Sequence, residues 1–406
     1  MKRWPTKPLG ELLVTLESGS RPKGGVGKIP NGIPSLGGEH INRNGGFVWE
    51  TPKHITREFY EGMKRGRIQC GDVLVVKDGA TTGKTATVRN NFPFREAAIN
   101  EHVFLLRTDK TKALPEFVGY FLFGSVGQQQ ILSNFHGAAI GGIAQDFVRN
   151  VYVPLAPLAE QERIVDLLDK VVELRKLRTQ ADHRTGALIP ALYHEMFGEP
   201  TTNTQNWRRE SFGDVLDAID GGWSPTCHDR PARDGEWGVL KLGAVTTCQY
   251  IDNENKALPE DVAPRPELEV KTGDLLFARK NTYELVAACS LVFETRPKLM
   301  LSDLIFRFRL KPSVQLNPVY LWGLLTVPSK RKQVQALAGG SAGSMPNISK
   351  GRLLTLPIEV PPLPLQKEFA NRVTEIRGLE AEQAASRRRL DALFQSMLYR
   401  GFQAEL

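Results

Sequence analysis

The stretch KDGATTGKT, from Lys77 to Thr85, crowds glycine, threonine and lysine in the way a phosphate-binding loop does. Such a loop needs a glycine, four residues and then Gly-Lys-Ser/Thr, so that successive backbone N–H groups wrap the phosphates. Counting five back from Gly83 reaches Asp78, a carboxylate that would face the phosphates, and Gly79 is one residue too close. The next residues, TATVRN, alternate and are β-branched. They predict a strand, whereas a phosphate loop opens a helix. Nucleotide chemistry is therefore not expected here.

Other candidate chemistries fare no better. NPVY at Asn317 approximates the Asn-Pro-Pro-Tyr loop of amino-methyltransferases, but Val319 stands for the second proline. Asn317 reads instead as a helix cap with Pro318 in the first turn. FGSVG at Phe123 follows a predicted helix and lacks the strand that a glycine-rich cofactor loop requires. Glu254-Asn255-Lys256 sits in a polar loop, a poor setting for metal-dependent cleavage. Cys70, Cys227, Cys248 and Cys289 are far apart, and the Cys227–His228 neighbours are too close for ordinary zinc spacing. No metal, no cofactor and no catalytic residues are expected.

Composition sets the frame for what must position these loops. The 406 residues suffice for two to three domains, each with its own core. No apolar run reaches the length of a membrane span, and MKRWPTKPLGELL has no continuous apolar region of the secretory kind. The dispersed cysteines suit reduced thiols in a cytoplasmic protein. A net charge of +8 suits a polyanionic partner.

An internal repeat organises the elements. WPTKPLGELLVTLESGSRP from Trp4 is echoed by WRRESFGDVLDAIDGGWSP from Trp207. CGDVLVVKDG from Cys70 matches TGDLLFARKN from Thr272, each a Gly-Asp turn feeding an apolar strand. INEHVFLLR from Ile99 matches LSDLIFRFR from Leu301, and LPEFVGYFLF from Leu114 matches NPVYLWGLLT from Asn317, the latter pair reading as Pro-initiated helices. APLAEQERIVDLL from Ala156 matches PPLPLQKEFANRV from Pro361. The expected class is therefore mixed α+β: two duplicated β-rich domains, each followed by a long helix.

Those helices should run from Ala159 to Phe197 and from Leu363 to Phe402. Ile164, Leu167, Val171, Leu174, Ala181, Leu188 and Leu192 recur at helical spacing in the first. Phe369, Val373, Ile376, Leu379, Leu390, Leu393 and Met397 do so in the second. This predicts an antiparallel coiled-coil seam, weakest at RTQADHRTG and EQAASRR, with a late kink at Pro190. Nearly forty residues give roughly 55 Å of helix, longer than a small domain is wide.

The layout, and the segment VPLAPLAEQERIV to GALIPALYHEMFG above all, resembles the specificity subunit of type I restriction–modification enzymes. The resemblance spans the chain. It implies a first target recognition domain over 1–153, a first conserved helix over 154–198, a second recognition domain over 199–360 and a second helix over 361–406. PLAPLAEQ, Pro154 to Gln161, fits the family's entry to the helix. The second copy keeps Pro362, Leu363 and Gln366 but has Leu365 in place of the glutamate. From Pro154 and Pro361 the chain is expected to leave each domain as polyproline.

The resemblance further implies a subunit without chemistry of its own, in which each domain reads one half of a split site on double-stranded DNA. Two methyltransferase subunits would dock on the helices, through Leu167, Val171, Leu174, Val373, Ile376 and Leu379, and restriction–translocase subunits would join for cleavage. A structural scaffold with no nucleic-acid role is the rival. The repeat disfavours it, because strands are echoed while loops differ, as two different half-sites would require. The loop at Lys77 then reads as DNA-facing rather than as a plain hairpin, with Lys77, Thr81, Thr82 and Lys84 suited to phosphates or base edges. Its counterpart offers Arg279, Lys280, Asn281 and Tyr283, where arginine can pair with guanine and asparagine with adenine. Arg21 and Lys23 in SGSRPKGG, and Arg230 in DGGWSPTCHDR, are further candidates. The glycine-rich HGAAIGGIAQDF and GGSAGSMPN are expected close to the DNA backbone.

Overall fold

The structure is a computed structural model describing residues 4–406 except 28, 51–52, 138–140 and 340–344. Its contacts divide the chain into two compact units, residues 1–179 with 384–406 and residues 180–383. Both boundaries fall inside the long helices.

In the first unit an antiparallel sheet orders its strands Leu13–Ser18, Val103–Thr108, Val73–Val76 and Thr85–Thr87. VLVV, Val73 to Val76, is buried throughout, so its continuous apolar run reflects a sheet covered on both faces. Val73 and Val75 face a core with Phe117, Val118 and Phe121 of the helix Pro115–Phe123. Leu74 and Val76 face Leu36, Ile41 and Ile99. A smaller sheet of His54–Ile55, Ile33–Leu36 and Ala98–Ile99 lies on that second side, with its last pair parallel. Thr6–Pro8 pairs with Tyr152–Pro154.

The second unit repeats this topology. Its four-stranded sheet orders Leu216–Gly221, Ile305–Leu310, Leu275–Ala278 and Cys289–Leu291. The three-stranded sheet is Asn255–Ala257, Gly238–Leu240 and Leu299–Met300. Even a register shift recurs, between Leu13 and Thr15 and between Leu216 and Ala218. The two Gly-Asp turns are built alike. Gly71 and Gly273 take φ of +92° and +93°, conformations that favour glycine. Asp72 then receives a two-pronged bond from Arg107 at 2.8 and 2.9 Å, and Asp274 is met by Arg307 at 3.2 Å. Burial pushes the Asp72 carboxyl up, against the pull of Arg107. Asn317 caps its helix, its side chain accepting from the Val319 N–H at 2.8 Å.

Within each unit a helix segment that follows the domain runs antiparallel to the end of the other helix. In the first, Arg163 reaches the Leu406 carbonyl and Arg175 pairs with Asp391 at 2.7 Å. Phe394, Leu398 and Phe402 complete the core against Phe117 and Phe121. In the second unit, Thr185 meets Gln383 at 2.9 Å, while Tyr193 and Phe197 pack on Tyr320 and Phe369. The fold is thus α+β, with duplicated β-rich domains and antiparallel long helices.

Three details differ from the sequence-based expectations. The late kink expected at Pro190 is a full break in the first helix. The helix ends at Gly186 and resumes as Leu188–Phe197, because Pro190 has no N–H for the Gly186 carbonyl and its ring crowds that turn. The buried stripe also departs from the expected seam. Ile164, Val165, Leu168 and Val171 turn inward, while Leu174 is 49% exposed and Leu188 is exposed as well. On the second helix, which runs unbroken from Leu363 to Gly401, Phe369, Val373, Phe394 and Leu398 are buried but Leu379 is 51% exposed. The inward stripe must serve a domain core as well as a partner helix, so it departs from a coiled-coil repeat. Finally, Pro154 still belongs to a β-strand, paired to Thr6, so the chain leaves the sheet only at Leu155 and enters the helix at Leu158.

Candidate nucleic-acid interface

The stretch from Lys77 to Lys84 is the loop of the hairpin between Val73–Val76 and Thr85–Thr87, not the mouth of a helix. Its residues point to different places. The Lys84 ammonium donates to the Ile41 carbonyl at 3.1 Å and is thereby drawn away from the loop tip. The Thr82 hydroxyl donates to the Gly79 carbonyl at 2.7 Å, closing the turn. Thr81 is half-buried beside Gly38.

Lys77 belongs to a different group, which the structure gathers with Arg21. The Lys77 N–H donates to the His102 carbonyl at 3.0 Å, and its own carbonyl accepts from Ile143 at 2.7 Å. Its ammonium lies 3.4 Å from the Ser18 hydroxyl, 4.0 Å from Asp78 and over the Phe104 ring. Asp78 Oδ1 and His102 Nδ1 are 2.6 Å apart, and Arg21 pairs with Glu101 at 2.7 Å. Gly19 makes this convergence possible: a Cβ there would sit 2.0 Å from the Ile99 carbonyl oxygen. Gln145 closes the group by donating to the Leu16 carbonyl at 3.1 Å.

The second unit repeats the central backbone bonds of this platform. Gly222, where a Cβ would sit 2.3 Å from the Leu301 carbonyl oxygen, replaces Gly19. The Arg279 N–H donates to the Leu304 carbonyl at 3.1 Å, and its carbonyl accepts from Ile348 at 2.8 Å. Its guanidinium lies over Phe306, as Lys77 lies over Phe104. Lys280 bridges to Asn347 where Asp78 bridges to Gly142. Ser224 bonds Asp303 where Arg21 bonds Glu101. Lys350 donates to the Ile219 carbonyl at 2.6 Å where Gln145 meets Leu16. One backbone frame therefore carries two unlike sets of side chains.

The remaining sequence candidates scatter. Lys23 is exposed in the loop after Arg21. Arg230 is clasped by Glu236 at 2.7 and 3.0 Å, and that grip with the Arg233 N–H holds the Glu236 carboxyl down to about 2. Asn281 is buried, its Oδ1 accepting from Thr282 N–H at 2.8 Å, so its amide is not offered to a base edge here. Tyr283 is 59% exposed. In the two glycine-rich stretches, residues 138–140 and 340–344 lie outside the described residues; Gly142–Ile143 and Asn347 are described and support the platforms. Sequence reasoning passed over Glu101, His102, Asp303, Leu304 and Lys350, and reached Gln145 only as part of a glycine-rich stretch. The repeat contained the signal, since INEH and LSDL align, but both were read only as strands.

A cavity of about 580 Å³ also opens in the first unit, among Phe47, Trp49, Phe92, Arg89 and Tyr120. In the second unit Phe293 packs edge-on against Trp322, and Arg377 lies over the Phe293 ring. Among the described residues no cluster of three His, Cys, Asp or Glu side chains could hold a metal ion. No described helix is long and apolar enough to cross a membrane.

Comparison with known proteins agrees with this architecture. Residues 1–182 match the type I restriction modification DNA specificity domain. The EcoEI specificity subunit of Escherichia coli is 36% identical over 170 residues, which cover 42% of this chain and 28% of that protein's length. The EcoKI specificity subunit of Escherichia coli K12 is 22% identical over 353 residues, 82% of this chain and 74% of that protein. Two solved structures share the fold. One is a chain from a study of assembly and conformational transition in a type I R-M system, at 20% identity and TM-score 0.62, covering 100% of this chain and 99% of that one. The other is the S subunit of a type I system from M. genitalium, at 12% identity and TM-score 0.55, covering 98% and 96%. Residues 1–182 thus carry the type I restriction modification DNA specificity domain, and the two relatives support a type I specificity subunit.

Proposed function

We propose that this chain directs a type I restriction–modification complex to a bipartite site on double-stranded DNA, each unit reading one half. It carries no chemistry itself. The observation that carries this reading is the paired platform: the same backbone bonds hold Lys77 and Arg279, while the side chains around them differ. Two frames kept alike with unlike polar faces suit two different half-sequences. Residues 1–153 and 199–360 act as the recognition domains in this account, and 154–198 and 361–406 as spacer and dock.

The helices then fix the gap between half-sites and receive two methyltransferase subunits, with restriction–translocase subunits joining for cleavage. The exposed leucines support a docking role, because Leu174, Leu177 and Leu379 lie outside the described cores and offer apolar surface. Selection of bound duplexes from a random pool tests the reading. It should recover two fixed half-sequences around an unread gap. Inserting four residues near Thr179 adds about one helical turn, roughly 6 Å, and should lengthen that gap by about one to two base pairs. Recovery of one continuous sequence, or a gap indifferent to the insertion, would count against it.

A further inference from the structure

The two platforms use their cations differently. In the first unit Arg21 is committed to Glu101 at 2.7 Å, and Lys77 lies 4.0 Å from Asp78. Both carboxylates also face His102. Lys23, two residues beyond Arg21, is the exception, with no ion pair among the described residues.

In the second unit, no ion pair engages Arg279, Lys280 or Lys350 among the described residues. Among the described residues the Arg279 Nε is buried without an acceptor, and its guanidinium rests 5.2 Å from the centre of the Phe306 ring. Lys350 stands 5.6 Å from the same ring and spends one donor on the Ile219 carbonyl. Asp303, which stands where Glu101 does, is engaged by the Ser224 hydroxyl rather than by a cation. At the position where the first unit has Asp78, the second has Lys280.

A cation without a carboxylate partner adds its full charge to a phosphate contact and releases a condensed counterion. A cation already paired must first give up its carboxylate, or bring that negative charge to the DNA. Resting over an aromatic face holds Arg279 and Lys350 in place without neutralising them. We infer that the two units grip DNA unequally: the second supplies most of the phosphate contacts through Arg279, Lys280 and Lys350, while Asp78 and Glu101 screen the first. The screened unit contributes discrimination more than grip, because its cations leave their carboxylates only where base contacts compensate. This inference rests on the reading of the chain as a DNA-binding subunit.

The salt dependence of binding by the full chain tests it. Phosphate contacts ignore sequence, so a mixed-sequence duplex of roughly 40 base pairs is a sufficient probe. Lys280→Gln, Arg279→Gln and Lys350→Gln should each make the slope of log affinity against log salt shallower by about 0.9. Each variant should therefore lose about three- to fourfold less affinity than the wild type between 50 and 200 mM salt. Arg21→Gln should change the slope little, and Asp78→Asn, by unscreening Lys77, should steepen it. The Lys280 side chain makes no bond among the described residues, so Lys280→Gln keeps the test open if the Arg279 variant misfolds. Equal sensitivity of the slope to Arg21→Gln and Lys280→Gln, or no response to Asp78→Asn, would overturn the asymmetry. Absence of any duplex binding by the wild-type chain would instead defeat the DNA-binding reading beneath it.

Discussion

The indole N–H of Trp4 donates to the carbonyl of Gly401 at 3.2 Å, across 397 residues of sequence. Trp207 repeats the bond in the other unit, donating to the Phe197 carbonyl at 3.0 Å. Each copy thus opens with a tryptophan that fastens the end of the helix belonging to the other copy. The helix ends ALIPALYHEMFG and ALFQSMLYRGFQ align without a gap and share this task, supplying Tyr193 and Phe197 to one core and Phe394, Leu398 and Phe402 to the other.

Phe394→Ala should therefore destabilise the first unit by about 3–5 kcal/mol, the usual cost of emptying a buried phenyl site. Hydrogen exchange should accelerate in Pro115–Phe123 and Ser125–Leu132 and stay unchanged in Pro318–Thr326. Exchange that rises equally in both would show that the helix end is not a local part of the first core.

A second expectation concerns the helix entry. Gln161 is fully buried; its Oε1 accepts from the Leu114 N–H at 2.9 Å, and its Nε2 donates to the Lys112 and Ala156 carbonyls. Gln366 makes the same three bonds, to Asn317, Gln315 and Pro361. Gln161→Ala strands three backbone groups, one buried and two part-buried, and should cost about 2–4 kcal/mol in urea unfolding. Glu160→Ala should cost under about 0.5 kcal/mol, because its exposed pairing with Arg163 is weak. A larger loss from Glu160→Ala would contradict this division of labour.

That contrast shows what was legible in sequence. The repeat, the Gly-Asp turns, the Asn317 cap and both long helices could be read from spacing, since each rests on local backbone chemistry. The glutamine at the helix entry stood in both copies, yet nothing in its neighbours announced that it bonds a loop some fifty residues earlier. The candidate platform was half legible. Lys77 and Arg279 stand out because they sit in hairpin loops, whereas Glu101 and Asp303 lie unmarked at the mouth of a strand. The inward bond of Lys84 is hidden for the same reason: its partner, the Ile41 carbonyl, leaves no trace in local sequence. Leu174 and Leu379 kept helical periodicity but faced outward, since periodicity names a stripe without saying what covers it.

The Arg230–Glu236 clasp predicts a pH response. The folded Glu236 carboxyl is held near 2, through the Arg230 guanidinium first and the Arg233 N–H second, against an ordinary value of 4.5. A depressed carboxyl stabilises the fold above its unfolded value, and that contribution fades as pH falls from about 4.5 through about 2. Carboxyl-carbon NMR should find the Glu236 midpoint near pH 2 in the wild type and closer to 4.5 in Arg230→Ala. A wild-type midpoint already near 4.5 would mean that Arg230 is free in solution and available to DNA.

The central claim is that each unit reads its own half of the target, and exchanging one unit tests it most directly. Residues 1–153 would be replaced by the recognition domain of a different type I subunit, and the methylated site of the assembled complex mapped. The account predicts that one half-sequence changes while the other half and the gap stay as they were. A site in which both halves change, or neither does, would contradict it.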